Sequence, residues 1–213
     1  MTTPTPSVTG NIAVALTGAS GMPYGLRLID CLLAAGCRVQ LLYSQVAQIV
    51  ARQELDLALP SRPNETQAWL SERFGAHPGQ LQVYGREEWF APLASGSNPP
   101  DAMVICPCTM GTLASVAAGL SSNLIERAAD VCLKEGRKLI LVPRETPFST
   151  LHLENMLRLS RMGVVILPPN PGFYHHPQSV DDLVDFVVAR ILDQLKVPHR
   201  LMARWGADAA PDA

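Results

Sequence analysis

Apolar residues along the chain fall into short unbroken runs, separated by stretches where they recur every three or four positions. The runs are NIAVALT (11–17), RVQLLY (38–43), AMVIC (102–106), KLILV (138–142) and VVILP (164–168), each five to seven residues long. Their length and branched side chains predict strands buried on both faces. Helical spacing fills the intervals: 23–36 with Gly36 as its stop, about 45–54, and 64–75 with Asn64 as N-cap and glycine at its end. It returns at 109–118, 123–135, 149–161 and 179–196. Strands alternating with helices imply βαβ crossovers and a parallel sheet with helices on both faces. The predicted fold is a single doubly wound, Rossmann-like α/β domain over residues 11–196. Residues 1–10 read as a disordered tail and 197–213 as a C-terminal extension with a disordered end.

Such sheets bind ligands outside the carboxyl ends of their strands. The segments that matter are therefore GASGMPYG, YSQ, PCTMGT, PRETP and PPNPGFYHHP. Residues 84–101, YGREEWFAPLASGSNPPD, form a long loop of the kind that carries function inside a compact domain.

Composition narrows the partners. With 47% hydrophobic and 17% charged residues in 213, the chain can bury one substantial core. A net charge of −2 gives no reason to expect nucleic acid or an anionic membrane, so any anion site must be a local cluster of cations. The N-terminus lacks the basic region of a signal peptide, and no apolar run approaches a membrane span. Five cysteines without repeated C-x-x-C spacing predict reduced thiols acting as small hydrophobes, in a cytoplasmic protein.

Gly18-Ala19-Ser20-Gly21 after the first strand is a glycine turn feeding a helix, which presents N–H groups to an anion. Ser20 stands where the dinucleotide fingerprint requires glycine, and the second strand ends in Tyr43-Ser44 rather than an acid. NAD is disfavoured, while a mononucleotide such as FMN stays open. Arg127 and Lys134 lie seven apart, on one helical face. Arg144 and Glu145 sit between two prolines at a strand end, and Arg190 lies in the last helix. Three or four such cations around one point suit a phosphate dianion, especially a leaving one. No metal is expected. DDLVD (181–185) reads as helix-start acids, and His175-His176 lack a third ligand at usable spacing. In ICPCTMGT (105–112), Cys106 is expected to close a strand, Pro107 to stop further pairing and Cys108 to take the corner.

Taken together, TGASGMPYG, PLASGS, the block CPCTMGTLASVAAGLSSNLIERAADVCLKEGRKLILVPRETP and LHLENM resemble the UbiX-type flavin prenyltransferases. That family lies within the homo-oligomeric flavin-containing Cys decarboxylase-like group. The resemblance runs over about residues 11–205. It implies transfer of a dimethylallyl group from dimethylallyl monophosphate to N5 and C6 of reduced FMN, without a metal. Prenylated FMN would then serve a UbiD-type decarboxylase and support ubiquinone biosynthesis. The assembly implied is a homo-oligomer, a dodecamer with flavin sites between subunits. By the same matching, Gly18, Ala19, Ser20, Ser44, Thr109, Met110, Gly111, Thr112 and Arg144 surround FMN. Arg127, Lys134, Glu145, Tyr174 and Arg190 surround the prenyl phosphate. Tyr174, Trp89 and Trp205 are candidates to stabilise the allyl cation with their ring faces. For Trp205 a role as anchor of the tail stands equally. Ser20 and Glu145 are candidate proton relays. Glu54 is left between reaching a neighbour's site and ending its own helix.

Three other readings share the fold. Decarboxylation of a peptidyl or phosphopantothenoyl cysteine is accompanied in its families by a P-A-S-A-N-T-like stretch, where this chain has CPCTMGT. Decarboxylation of an aromatic acid lacks an obvious base beyond Glu145. A non-catalytic flavin carrier would have no use for the cations at 127, 134, 144 and 190.

Overall fold

The structure, a computed structural model, describes residues 10–202. The apolar runs become strands β1 (Asn11–Leu16), β2 (Arg38–Tyr43), β4 (Ala102–Cys108), β5 (Lys138–Pro143) and β6 (Val165–Ile166), with β3 at Leu81–Val83. They form one sheet in the order β3-β2-β1-β4-β5-β6, every neighbouring pair parallel. Helices α1 (Met22–Ala34), α2 (Gln45–Leu55), α3 (Pro63–Phe74), α4 (Met110–Ala117), α5 (Leu124–Lys134), α6 (Thr150–Arg161) and α7 (Val180–Leu195) surround it. The expected doubly wound α/β architecture is what the chain adopts.

The period-two alternation of β1 divides the core. Ile12, Val14 and Leu16 join one buried cluster with residues of α1, α3 and α7. Ala13 and Ala15 face the other, built with Met103, Ile105 and residues of α4 and α5. Both faces are covered, which is why the strand sequences are continuously apolar.

The structure departs from the sequence expectations at four points. β3 is only three residues long and arises between the helix at 64–75 and the loop at 84–101, where no element was expected. β6 is shorter than the run at 164–168 suggested. The N-cap of α3 is Arg62 with Pro63 in the first turn, so Asn64 lies inside the helix. The fourth point concerns Pro107. β4 continues through it, bulging between Ile105 and Cys108 and pairing again at Cys108 with Pro143. Proline has no N–H to give, but its carbonyl accepts from Thr17 N at 3.2 Å and Thr17 Oγ1 at 2.8 Å.

Cys106 and Cys108 are fully buried. Burial pushes both thiols far above their ordinary range, and raises Cys132 to about 12. They are protonated hydrophobes, unsuited to nucleophilic or metal chemistry. The unfolded chain releases thiol protons that the fold retains. The stability they contribute is therefore complete below the unfolded thiol pKa and lost as pH rises through the folded values. Alanine at both positions is expected to cost about 1–2 kcal/mol in chemical denaturation and to leave a folded protein. In the native protein at pH 8, neither thiol is expected to react with iodoacetamide; rapid labelling of either contradicts this account.

Gly25 lies where α1 crosses the sheet. A Cβ there would stand 2.5 Å from the Cys106 carbonyl oxygen and 2.5 Å from Leu16 Cδ2. Gly25→Ala should therefore push α1 off β1 and β4 at a cost of about 1–3 kcal/mol. At roughly 2–4 °C per kcal/mol for this chain length, calorimetry will show the drop. An unchanged melting temperature would mean that α1 has slack at this crossing.

Candidate active site

The strand order reverses between β1 and β4, and the crevice at their carboxyl ends is where an α/β sheet of this kind holds its ligand. Thr17, 1% exposed, ties the two ends together. Its hydroxyl donates to the Pro107 carbonyl at 2.8 Å and accepts from Thr109 N at 2.9 Å. Thr109 in turn caps α4. Its Oγ1 accepts from Thr112 N at 3.0 Å and donates to Thr112 Oγ1 at 2.9 Å. On the other wall, Ser44 caps α2 by accepting from Ala47 N at 3.1 Å, and its own N–H donates to Leu16 O at 2.9 Å. Between these walls lies a cavity of about 270 Å³, lined among others by Gly18, Ser44, Val46, Thr109 and Thr112. A Cβ on residue 18 would fall 2.4 Å from Val46 Cγ1, so only glycine lets the turn lie against the start of α2.

The glycine turn is narrower as an anion site than its sequence suggests. Glu54, near the end of α2, turns its carboxylate onto the N-terminus of α1. It accepts from Gly21 N at 3.0 and 3.1 Å and from Met22 N at 2.8 Å. The positive end of that helix already has its anion. Within this chain, then, Glu54 serves α1. Ala19 is buried and Ser20 exposed in the same turn, while Met110 and Gly111 form the first turn of α4.

The candidate phosphate-binding residues stand in three places. Arg127 and Lys134 share one face of α5, under the loop at 92–97. Arg127 Nε donates to Ala94 O at 2.9 Å, and its guanidinium pairs with Asp130 at 2.8 Å. Lys134 pairs with Glu135, whose carboxyl it holds below the usual range. Gly96 of PLASGS lies against the ends of the Lys134 and Glu135 side chains. At the end of β5, Arg144 is exposed with its N–H on Cys108 O at 3.3 Å. Half-buried Glu145 accepts from Thr146 N at 3.1 Å. Arg190 pairs with Asp193 at 2.6 Å and lines a separate cleft of about 320 Å³ beside β6. Tyr174 sits edge-on to Phe186, its ring centroid 6.1 Å away. Among the described residues, no hydrogen bond or ion pair joins Arg127 or Lys134 to Arg144, Glu145 or Arg190. Trp89 is half exposed beside a fully exposed Phe90. Trp205 lies outside the described residues.

The acids of DDLVD are accounted for by the fold. Asp182 accepts from Gln178 N at 2.7 Å and Ser179 N at 3.0 Å, bonds that hold it below the usual carboxylate range. Asp185 pairs with Arg27 of α1 at 2.7 Å. Among the described residues, no three His, Cys, Asp or Glu side chains gather as metal ligands would.

Besides Gln45, Val46 and Ile125, sequence reasoning missed four residues of the cavity region: Thr17, Arg86, Asn123 and Glu126. Glu126, 9% exposed, accepts from Ser122 N at 2.7 Å, and Asn123 caps α5 by accepting from Glu126 N at 3.1 Å. The N-x-x-E spacing at the start of α5 was a signal for the last two.

The chain can be compared with known proteins on this basis. A family model described as Flavoprotein matches residues 2–192. Flavin prenyltransferase UbiX of Pseudomonas aeruginosa is 60% identical over 195 residues, 92% of this chain and 93% of that protein. A dodecameric FMN-dependent UbiX-like decarboxylase from Escherichia coli O157:H7 superimposes with a TM-score of 0.80 at 43% identity. It spans 92% of this chain and 98% of that one. AnUbiX (PadA1), crystallised with FMN and dimethylallyl pyrophosphate, gives a TM-score of 0.81 at 38% identity over 92% of this chain and 96% of its own. With identity at this level along nearly all of both chains, the protein belongs to the flavoprotein family, among the flavin prenyltransferases of the UbiX type.

Proposed function

We propose that this protein is a flavin prenyltransferase. In this reading it joins the dimethylallyl group of dimethylallyl monophosphate to N5 and C6 of reduced FMN and releases phosphate. The observation that carries it is the 60% identity to a UbiX prenyltransferase over nearly the whole chain, with a glycine-walled crevice at the point where strand order reverses. The crevice fits a flavin mononucleotide in its donor set. It offers the Gly18 turn pressed on Val46, the start of α2 behind Ser44, and the hydroxyls of Thr109 and Thr112. Bound reduced FMN supplies the nucleophilic positions to which the five-carbon unit becomes attached.

The chain's residues supply the rest. Gly18, Ala19, Ser20, Ser44, Thr109, Met110, Gly111, Thr112 and Arg144 hold the flavin. Arg127, Lys134 and Arg190 neutralise the departing phosphate, a task that falls here to side chains rather than to a metal ion. The rings of Tyr174 and Trp89 stabilise positive charge on the allyl group, joined by Trp205 if the tail lies over the site. Ser20 and Glu145 take up the proton lost on ring closure.

The flavin-binding domain of this reading is residues 11–196. Its prenyl-site residues stand on three separate elements, and each place has exposed apolar neighbours. Trp89 and Phe90 belong to the long loop, Phe148 and Leu151 follow Glu145, and Phe173 adjoins Tyr174. Such surface favours a homo-oligomer, in our reading a dodecamer that completes each site from more than one copy. No helix among the described residues is long and apolar enough to cross a membrane. We place the protein in the cytoplasm, handing prenylated FMN to a UbiD-type decarboxylase in ubiquinone biosynthesis.

Incubation with reduced FMN and dimethylallyl monophosphate, followed by mass spectrometry of the flavin, should reveal one added five-carbon unit. An unaltered flavin mass argues instead for the decarboxylase or carrier readings. Glu145→Gln is expected to bind FMN as before yet slow product formation by roughly a hundredfold or more. Lys134→Ala should raise KM for the prenyl phosphate and leave the FMN dissociation constant unchanged. Normal kinetics in both variants would remove these residues from the reaction.

A further inference from the structure

A flavin mononucleotide carries a phosphate dianion, and the donors that suit it are not equally available in this crevice. The α1 N-terminus is already filled by the Glu54 carboxylate. The walls that remain are the Gly18 turn, the beginning of α2 at Ser44 to Val46 and the beginning of α4 at Thr109 and Thr112. Backbone donors alone leave a dianion short of charge compensation in a partly enclosed site. The cavity contains one carboxylate that worsens this deficit, Glu126, and one cation that relieves it, Arg86.

Arg86 lines the cavity and, like the exposed Arg144 at the end of β5, stands apart from the paired basic residues near the strand ends. Arg127 is bonded to Asp130, Lys134 to Glu135 and Arg190 to Asp193. The Arg86 guanidinium makes no hydrogen bond or ion pair with any described residue, although Glu87 and Glu88 follow it directly. Its backbone, in contrast, is fixed. Leu124 N donates to Arg86 O at 2.9 Å, and Glu88 folds back to accept from Gly85 N at 2.9 Å. The long loop is thereby pinned to the start of α5, with five guanidinium donors left unused at the mouth of the flavin crevice.

We propose that Arg86 binds the phosphate of FMN and makes the site choose FMN over riboflavin. The inference rests on the flavin prenyltransferase reading. A charge-assisted contact with phosphate is fork-shaped and strong, whereas riboflavin offers the guanidinium only neutral hydroxyls.

The test is titration of the full-length protein, unmodified and as Arg86→Met and Arg86→Lys, with FMN and with riboflavin, followed by flavin fluorescence. Arg86→Met is expected to weaken FMN about tenfold to a hundredfold, the range for losing a charged hydrogen bond. Riboflavin affinity should stay within about twofold, since no contact with charge is lost. Arg86→Lys should recover part of the FMN preference, and added salt should narrow the gap between the two ligands in the unmodified protein. Equal weakening of both flavins by Arg86→Met would assign the residue to the shape of the loop and overturn the inference. So would an unmodified protein that binds FMN no better than riboflavin, or a variant that loses nothing. In these cases the prenyltransferase reading would stand, provided FMN still binds. Failure of the unmodified protein to bind either flavin would overturn both.

Discussion

The hydroxyl of Thr17 is the small constraint on which the site depends. β1 and β4 are neighbours in the sheet, but their Cα register ends at Ala15 and Ile105. Beyond it β4 bulges through a proline that cannot donate. Left to itself this break would bury an unpaired N–H on Thr109 and a weakly used carbonyl on Pro107, at about 1–3 kcal/mol for such a group. One side chain answers both, accepting from the first at 2.9 Å and donating to the second at 2.8 Å. Through it the end of β1 sets where Thr109 stands. Thr109 then sets the start of α4 by its cap. The crevice opens because the crossovers from β1 and β4 lead to opposite sides of the sheet, and it keeps its width because Thr17 spans its base.

A second economy concerns helix termini and charge. Besides α5, whose start is closed by its own Asn123 and Glu126, three helices begin near the crevice, and each could draw an anion. The chain satisfies α1 with its own Glu54, caps α2 and α4 with hydroxyls, and so directs a ligand anion toward the latter two. The cations further out are held by acids three residues or one residue away in sequence, with side chains a third to a half exposed. Pairs of that kind are screened by water and contribute little. They keep Arg127, Lys134 and Arg190 oriented, and in the proposed reaction would yield at little cost to a phosphate dianion.

How much of this the sequence disclosed follows from the range of each interaction. β2 was legible to the residue and β1 nearly so, because an apolar run buried on both faces is bounded by glycine or a polar residue. β3 was not, since LQV buries only two side chains and looks like any connection. The pattern around Pro107 misled for a physical reason. Proline does forbid one ladder bond, but a bulge skips it and pairing resumes at Cys108. In the site, Gly18 was found from the glycine turn, and Ser44, Thr109 and Thr112 were found from the family resemblance. Thr17 and Arg86 were not. The role of Thr17 depends on a partner ninety positions away, and that of Arg86 on lacking a partner among acids that adjoin it. Glu54 was noticed but undecided, because only the packing of α2 beside α1 brings its carboxylate to Gly21.

The distribution of aromatic and charged groups over the surface follows the same logic at larger scale. A site that stabilises an allyl cation must exclude water, since water both screens the phosphate and traps the cation. One copy of this chain does not exclude it. Trp89 and Tyr174 remain about half exposed, Phe90 is fully exposed, and the cations lie on three elements without mutual contact. Exposed rings cost hydrophobic free energy at roughly 25 cal/mol per Å², a cost that burial between copies would recover. Joining copies in the proposed assembly would therefore perform two tasks at once. It would cover the aromatic surface, and it would close a dry compartment in which arginine, lysine and ring faces act at full strength. The Cys-Pro-Cys stretch takes its place in this scheme as packing. Its thiols fill the core behind Thr109, and its irregular backbone leaves the carbonyl that Thr17 needs in order to hold the crevice open.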